Sequence, residues 1–240
     1  MEELTSKEFL EFRDENTVVI IPIGALEEHG DHLPLFTDTL QPEYVVRELE
    51  KQLEGRVKIL IAPTIGYGLI QSTLHFPGSV TLTFNTLREL AYEIMKGMAD
   101  NELANIVVLS GHAGRTHMMA LRLAAHRLLE EDGYGHLKLM VLSDYDIAYQ
   151  ELGGEFPATD GHAGELETSR VMAIRPDLVK GEGKATYPDF PPYRIINDAE
   201  KYFPTGVMGD PRPATAEKGA GANRRIVKEL AGIIEEMVKE

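Results

Sequence analysis

Glu27-Glu28-His29-Gly30-Asp31-His32 puts three carboxylates and two imidazoles into six residues, and Thr37-Asp38 adds a further carboxylate shortly after. Crowded carboxylates repel one another, and burying them is costly unless something positive lies between them. Oxygen and imidazole donors are what Zn²⁺, Mn²⁺ or Fe²⁺ accept. The cluster directly follows the apolar run Val18–Ile23 and is bracketed by Gly24 and Gly30, which let the chain turn sharply and approach a ligand closely. These residues predict a divalent-metal site at the end of a buried strand. A solvated acidic loop with incidental histidines is the alternative.

Gly-His-Ala-Gly occurs twice, at Gly111–Gly114 and Gly161–Gly164. The first copy follows Ile106-Val107-Val108-Leu109 and precedes a helical pattern. Small neighbours leave the His112 ring free to reach a metal, a structural hydrogen bond being its other reading. The glycine spacing of a dinucleotide or phosphate loop is missing. The second copy runs on into Glu165 and Glu167, which open a helix. Carboxylates there are stabilising at a helix N-terminus. The functional reading instead gives one of them to the metal and leaves His162 as general acid/base, because imidazole titrates near neutrality and can protonate a departing amine. In the loop Gly66–Gly78, His75 either lines the same cleft or only shapes the turn.

The elements that must position these groups alternate along the chain. Thr17–Ile23, Lys58–Ala62, Asn105–Leu109 and Lys138–Ser143 are apolar on both faces, as strands of a covered parallel sheet are. Thr86-Leu87-Arg88-Glu89 has capping-box spacing and predicts a helix to about Asn101. Leu121, Ala124, Ala125, Leu128 and Leu129 form one helical stripe; Ile226, Leu230, Ile233, Ile234 and Met237 form another. This order predicts an α/β fold with three α/β/α layers on a mostly parallel sheet, with ligands beyond the strands' carboxyl ends. The proline-rich stretch 181–213 is too long for an ordinary connection and reads as an active-site cover or a subunit contact.

The 240 residues fit one domain, 1–240, and 43% hydrophobic content suffices for a core. A net charge of −15 argues against nucleic-acid binding and against an anionic membrane surface. Cysteine is absent, so disulfides and thiolate chemistry are excluded. Met1-Glu2-Glu3 does not open a signal peptide, and no apolar run approaches the roughly 20 residues that span a bilayer. The expected location is the cytoplasm.

Pro22–Gly30 with His32-Leu33-Pro34 and Thr37-Asp38, His75–Gly78, Ser110–Gly114, and Asp160–Gly164 with Glu167-Thr168-Ser169 together resemble the creatininase (creatinine amidohydrolase) family. The blocks stand in the family's order. The resemblance implies a binuclear metal-dependent amidohydrolase on a three-layer α/β fold, commonly a hexamer, holding two divalent ions (Zn, Mn or Fe) per subunit. It implies Glu27, His29, Asp38 and His112 as ligands, with Asp38 bridging; His162 and Glu167 are the expected catalytic residues. Creatininase places a glutamate two residues after its equivalent of His112; this chain has Gly114, so Glu167 is expected to replace that ligand. Many members read Asn-Gly-His-Gly-Gly-Asn where Arg115 ends the block here. Arg115 is expected either to bind substrate, alongside His75, or to form an ion pair at a subunit interface. Creatininase also surrounds its substrate with tryptophans, and this chain has none.

The favoured function is cleavage of a C–N bond in a small amide or lactam, the substrate being a small molecule. Two ions about 4 Å apart would polarise the carbonyl and yield the attacking hydroxide, with His162 protonating the leaving nitrogen. A short-peptide metallopeptidase and a non-catalytic metal- or metabolite-binding regulator are the alternatives.

Overall fold

In the computed structural model, which describes residues 1–239, four strands form one parallel sheet. They are β1 (Thr17–Ile23), β2 (Lys58–Ile61), β3 (Asn105–Ser110) and β4 (Lys138–Ser143), in the spatial order β2-β1-β3-β4. All residues of β1 and β3 are buried, as expected of central strands covered on both faces. Seven helices surround the sheet: α1 (Ser6–Phe12), α2 (Thr37–Leu53), α3 (Phe84–Asp100), α4 (Arg115–Glu130), α5 (Asp144–Glu151), α6 (Glu165–Ile174) and α7 (Ala216–Lys239).

The pleat divides the core into two apolar layers. Val18, Ile20, Val107 and Leu109 point to one face, where they meet α2, α5, α6 and α7 through residues such as Val45, Leu49 and Leu230. Val19, Ile21, Ile106 and Val108 point to the other, against Leu87 and Met95 of α3 and Leu121 and Leu128 of α4. The architecture is a three-layer α/β/α fold. The chain leaves β1 through α2 on one face and returns through α3 on the other, so the strand order reverses between β1 and β3. Crevices at such switch points are where open α/β sheets bind ligands.

Two expectations for helices need adjustment. Helix α3 starts three residues earlier than the Thr86 capping box implies, because the Thr83 side chain accepts the Thr86 N–H and becomes the cap. In α7 the predicted stripe holds except for Ile233, which is partly exposed. The stretch 181–213 contains one short 3₁₀ turn, Ala199–Lys201, and an isolated antiparallel bridge between Thr186 and Gly209, and it pairs with the loop before α6 through Gly161 N–H to the Met208 carbonyl and Met208 N–H to the His162 carbonyl.

Candidate metal centre

Four segments bring their polar groups together beyond β1 and β3. Glu27 and His29 follow β1, Asp38 lies in the first turn of α2, His112 follows β3, and Glu167 lies in the first turn of α6. The descent of α2 onto the strand ends is possible because of two glycines. A Cβ at Gly24 would lie 2.6 Å from the Asp38 carbonyl oxygen, and one at Gly111 only 2.0 Å from it. Any side chain at Gly111 would push Asp38 out of the crevice.

Asp38 faces two ways. Its Oδ1 lies 3.1 Å from His29 Nε2, and Oδ2 lies 3.1 Å from His112 Nδ1. His29 Nε2 is also 3.5 Å from Glu167 Oε2, and His112 Nδ1 is 3.0 Å from Glu27 Oε2. Two groups thus share Asp38, namely Glu27–Asp38–His112 and His29–Asp38–Glu167, each with donor atoms within 4.8 Å of one another. A third, Glu27–His29–His162, lies across them. Apart from the His112 imidazole, buried Glu27 Oε2 and Asp38 Oδ2 have no hydrogen-bond partner, so both stand open to a cation. The mixed carboxylate and imidazole set suits Zn²⁺ or Mn²⁺.

The surroundings hold each donor in place. His29 Nδ1 donates to the Glu27 carbonyl at 3.0 Å, which leaves the lone pair on Nε2, toward Asp38 and Glu167. Glu167 accepts the Tyr145 hydroxyl on Oε1 and the Ala163 N–H on Oε2, both at 2.6 Å. Ala163 takes a left-handed φ of 52° to aim that N–H. Asp160 accepts the Glu165 and Leu166 N–H groups and so fixes the start of α6. Thr73 donates its hydroxyl to Glu27 Oε1. His117 Nδ1 accepts the Leu69 N–H at 3.1 Å, its Nε2 lies 3.1 Å from Ser110 Oγ, and Ser110 in turn donates to the His112 carbonyl at 2.7 Å. Burial and the neighbouring His112 push the His117 imidazole down to about 3, so it serves as a neutral strut.

Charge in the crevice is unbalanced without a cation. Burial opposes a charged His29, yet the Asp38 and Glu167 carboxylates raise it to about 10. His112 is likewise raised well above its ordinary value, against burial, by Glu27 and Asp38. Burial would raise Asp38, but His29 and His112 hold it well below the carboxylate range. Protons thus occupy places that divalent ions fit.

His162 stacks on His29 with ring centroids 4.1 Å apart, and its Nε2 donates to the Glu28 carbonyl at 2.6 Å. A cleft of about 870 Å³ opens over the centre, lined by Glu27, Asp38, His112, His162 and Glu167 and walled by the stretch 181–213. Arg115 lines it too. His75 does not: it is exposed and stacks on Phe76 at 4.1 Å, so the reading in which it only shapes its loop is the one the geometry favours. Glu167, expected to stand in for the ligand absent at Gly114, groups with His29 and Asp38. Thr73, Gln41, Tyr145 and His117 carry no sequence signal that assigns them to this site; their contacts arise only on folding.

The creatinine amidohydrolase family model matches residues 2–234. Over 251 aligned positions the chain is 30% identical to the creatinine amidohydrolase of Pseudomonas putida, covering 98% of this chain and 95% of that protein. It is 30% identical over 222 positions to the mycofactocin precursor peptide peptidase of Mycobacterium ulcerans (strain Agy99), covering 88% and 80%. A creatininase crystal structure superposes with a TM-score of 0.87 at 27% identity, covering 98% of this chain and 96% of that one. A manganese creatininase superposes at 0.83 and 28% identity, covering 98% and 97%. With the shared architecture and the divalent-metal donor set, the matches agree on one assignment: the chain belongs to the creatininase (creatinine amidohydrolase) family.

Proposed function

We propose that the protein is a binuclear metal-dependent hydrolase that cleaves a C–N bond in a small amide or lactam. The observation that carries this reading is the Asp38 carboxylate, whose two oxygens face two different donor groups. Divalent ions bound there supply Lewis acidity and a nucleophile at neutral pH.

The chain's own groups do the rest. Glu27 and His112 hold one position and His29 and Glu167 the other, with Asp38 common to both. Both Glu167 oxygens already accept hydrogen bonds, which suits a fixed ligand better than a proton carrier. His162 spends Nε2–H on the Glu28 carbonyl, leaving Nδ1 to take up a proton and deliver it to the departing nitrogen. Phe203, 5.8 Å from the His162 ring, and Met208 limit water on that side.

A short-peptide substrate is the second reading. It is favoured by the similarity to a peptide peptidase and by a cleft large enough for more than one small ring. Metal analysis coupled to turnover on creatinine, other lactams, simple amides and dipeptides separates the two. A metal-loaded protein inactive on the whole panel would refute the hydrolase reading.

A further inference from the structure

We propose that the cleft takes elongated amides carrying a carboxylate at the end away from the scissile bond, and that Arg115 and Arg194 receive this carboxylate at the mouth. The proposal rests on the hydrolase reading above and names its substrate class.

Arg115 and Arg194 are the arginines that combine a place in the cleft with the absence of an ion pair among the described residues, whereas Arg47 and Arg224, also without one, lie outside it. In this acidic chain, Arg13, Arg56, Arg122, Arg127, Arg170 and Arg225 each pair with a carboxylate. Arg115 and Arg194 form no ion pair among the described residues, yet both line the cleft. They stand on different walls, Arg115 at the start of α4 and Arg194 in the stretch that covers the centre. Helix stability does not account for Arg115. It occupies the first residue of α4, where the helix dipole disfavours positive charge, and no acidic residue shares that turn.

The floor of the cleft has the opposite character, with Glu27, Asp38, Asp160 and Glu167. Divalent ions held at the floor would offset its carboxylates, so the two rim arginines are what attract an anionic group at the far end of a long substrate. Phe190, Ile196 and Phe203 line the same cleft, with fully exposed Ile195 beside Arg194, a surface for an apolar substrate body. A guanidinium also offers a carboxylate two parallel hydrogen bonds. A volume of about 870 Å³ accommodates such a molecule and leaves a single five-membered ring loosely held.

The test uses the full chain loaded with Zn²⁺ or Mn²⁺. N-acetylated dipeptides with a free C-terminal carboxylate are compared with the same peptides ending in a carboxamide, by titration calorimetry and by turnover. The acid form should bind at least about tenfold more tightly. Arg115→Ala and Arg194→Ala should each reduce that ratio, the double variant should abolish it, and Arg122→Ala, outside the cleft, should preserve it. Equal binding of the two forms, or a ratio that survives in the double variant or falls in Arg122→Ala, overturns the proposal. Preferential binding without turnover of either form upholds this proposal and counts against the hydrolase reading. Turnover of both forms with equal binding does the reverse.

Discussion

Tyr145→Phe removes one hydroxyl and keeps the ring, so it deletes the hydrogen bond that steadies Glu167 together with the hydroxyl's 2.9 Å contact to Gln41 Oε1. The lost bond is 2.6 Å long and ends on a carboxylate oxygen. A hydrogen bond to a charged group contributes about 1.5–3 kcal/mol, or roughly 10- to 150-fold in affinity at about 1.4 kcal/mol per decade. Two contacts remain: the Ala163 N–H at 2.6 Å on the other oxygen, and the Gln41 amide at 3.4 Å on the same one. They place the loss at the lower end, about 10- to 30-fold for one ion, within what partners of metal ligands usually contribute. The other ion should be nearly unaffected, because Glu27 and His112 do not touch Tyr145. Competition against a chromophoric chelator reads the two affinities separately. Two unchanged sites, or two sites weakened equally, would refute the division of donors around Asp38. Thr73→Val provides the mirror experiment, weakening the ion held by Glu27 and sparing the other.

Asp38→Ala should remove both ions and metal-dependent activity while circular dichroism stays native; full metal content in this variant would exclude a bridging role. Chelated protein should lose stability as the medium turns alkaline. His29 has its raised proton affinity only in the folded chain, so its contribution is complete below the ordinary histidine value of about 6.5 and vanishes as pH passes about 10. The gap in melting temperature between metal-loaded and chelated protein should therefore widen across that window, and a constant gap contradicts the charge balance described. Arg170→Met should destabilise the fold by about 3–5 kcal/mol, since it strands a buried charge. Arg170 and Asp144 are both fully buried and pair at 2.5 Å, and a thermal shift near zero would mean that Asp144 accepts a proton at little cost.

The strands and most candidate ligands were legible because their signals are local. An apolar run ending in Glu27-Glu28-His29 states both the strand and the chemistry within a dozen residues. Helix α2 was not, since Pro42 stands near its start and its apolar positions are diluted by Glu, Arg and Lys. The partners of the ligands were silent for another reason. Tyr145 reaches Glu167 across 22 residues and Gln41 across 104, and no periodicity encodes such a contact. Glu167 could be placed near a metal from its neighbours, but its side of Asp38 depends on how α6 docks. His75 was ambiguous because a histidine in a Gly/Pro loop looks the same whether its ring turns inward or out.

Because the first turn of α2 is wedged between Gly24 and Gly111, the distance between the two donor groups belongs to the main chain rather than to a side-chain rotamer. Small zinc domains, by contrast, take their donor spacing from folding around the metal. Ion uptake here resembles filling a rigid vessel, governed by desolvation and proton release instead of by chain ordering. The donors also sort the ions. Ca²⁺, which prefers six to eight oxygens in a pliant shell, meets donor groups that each include an imidazole. Ions content with few ligands and imidazole enter readily.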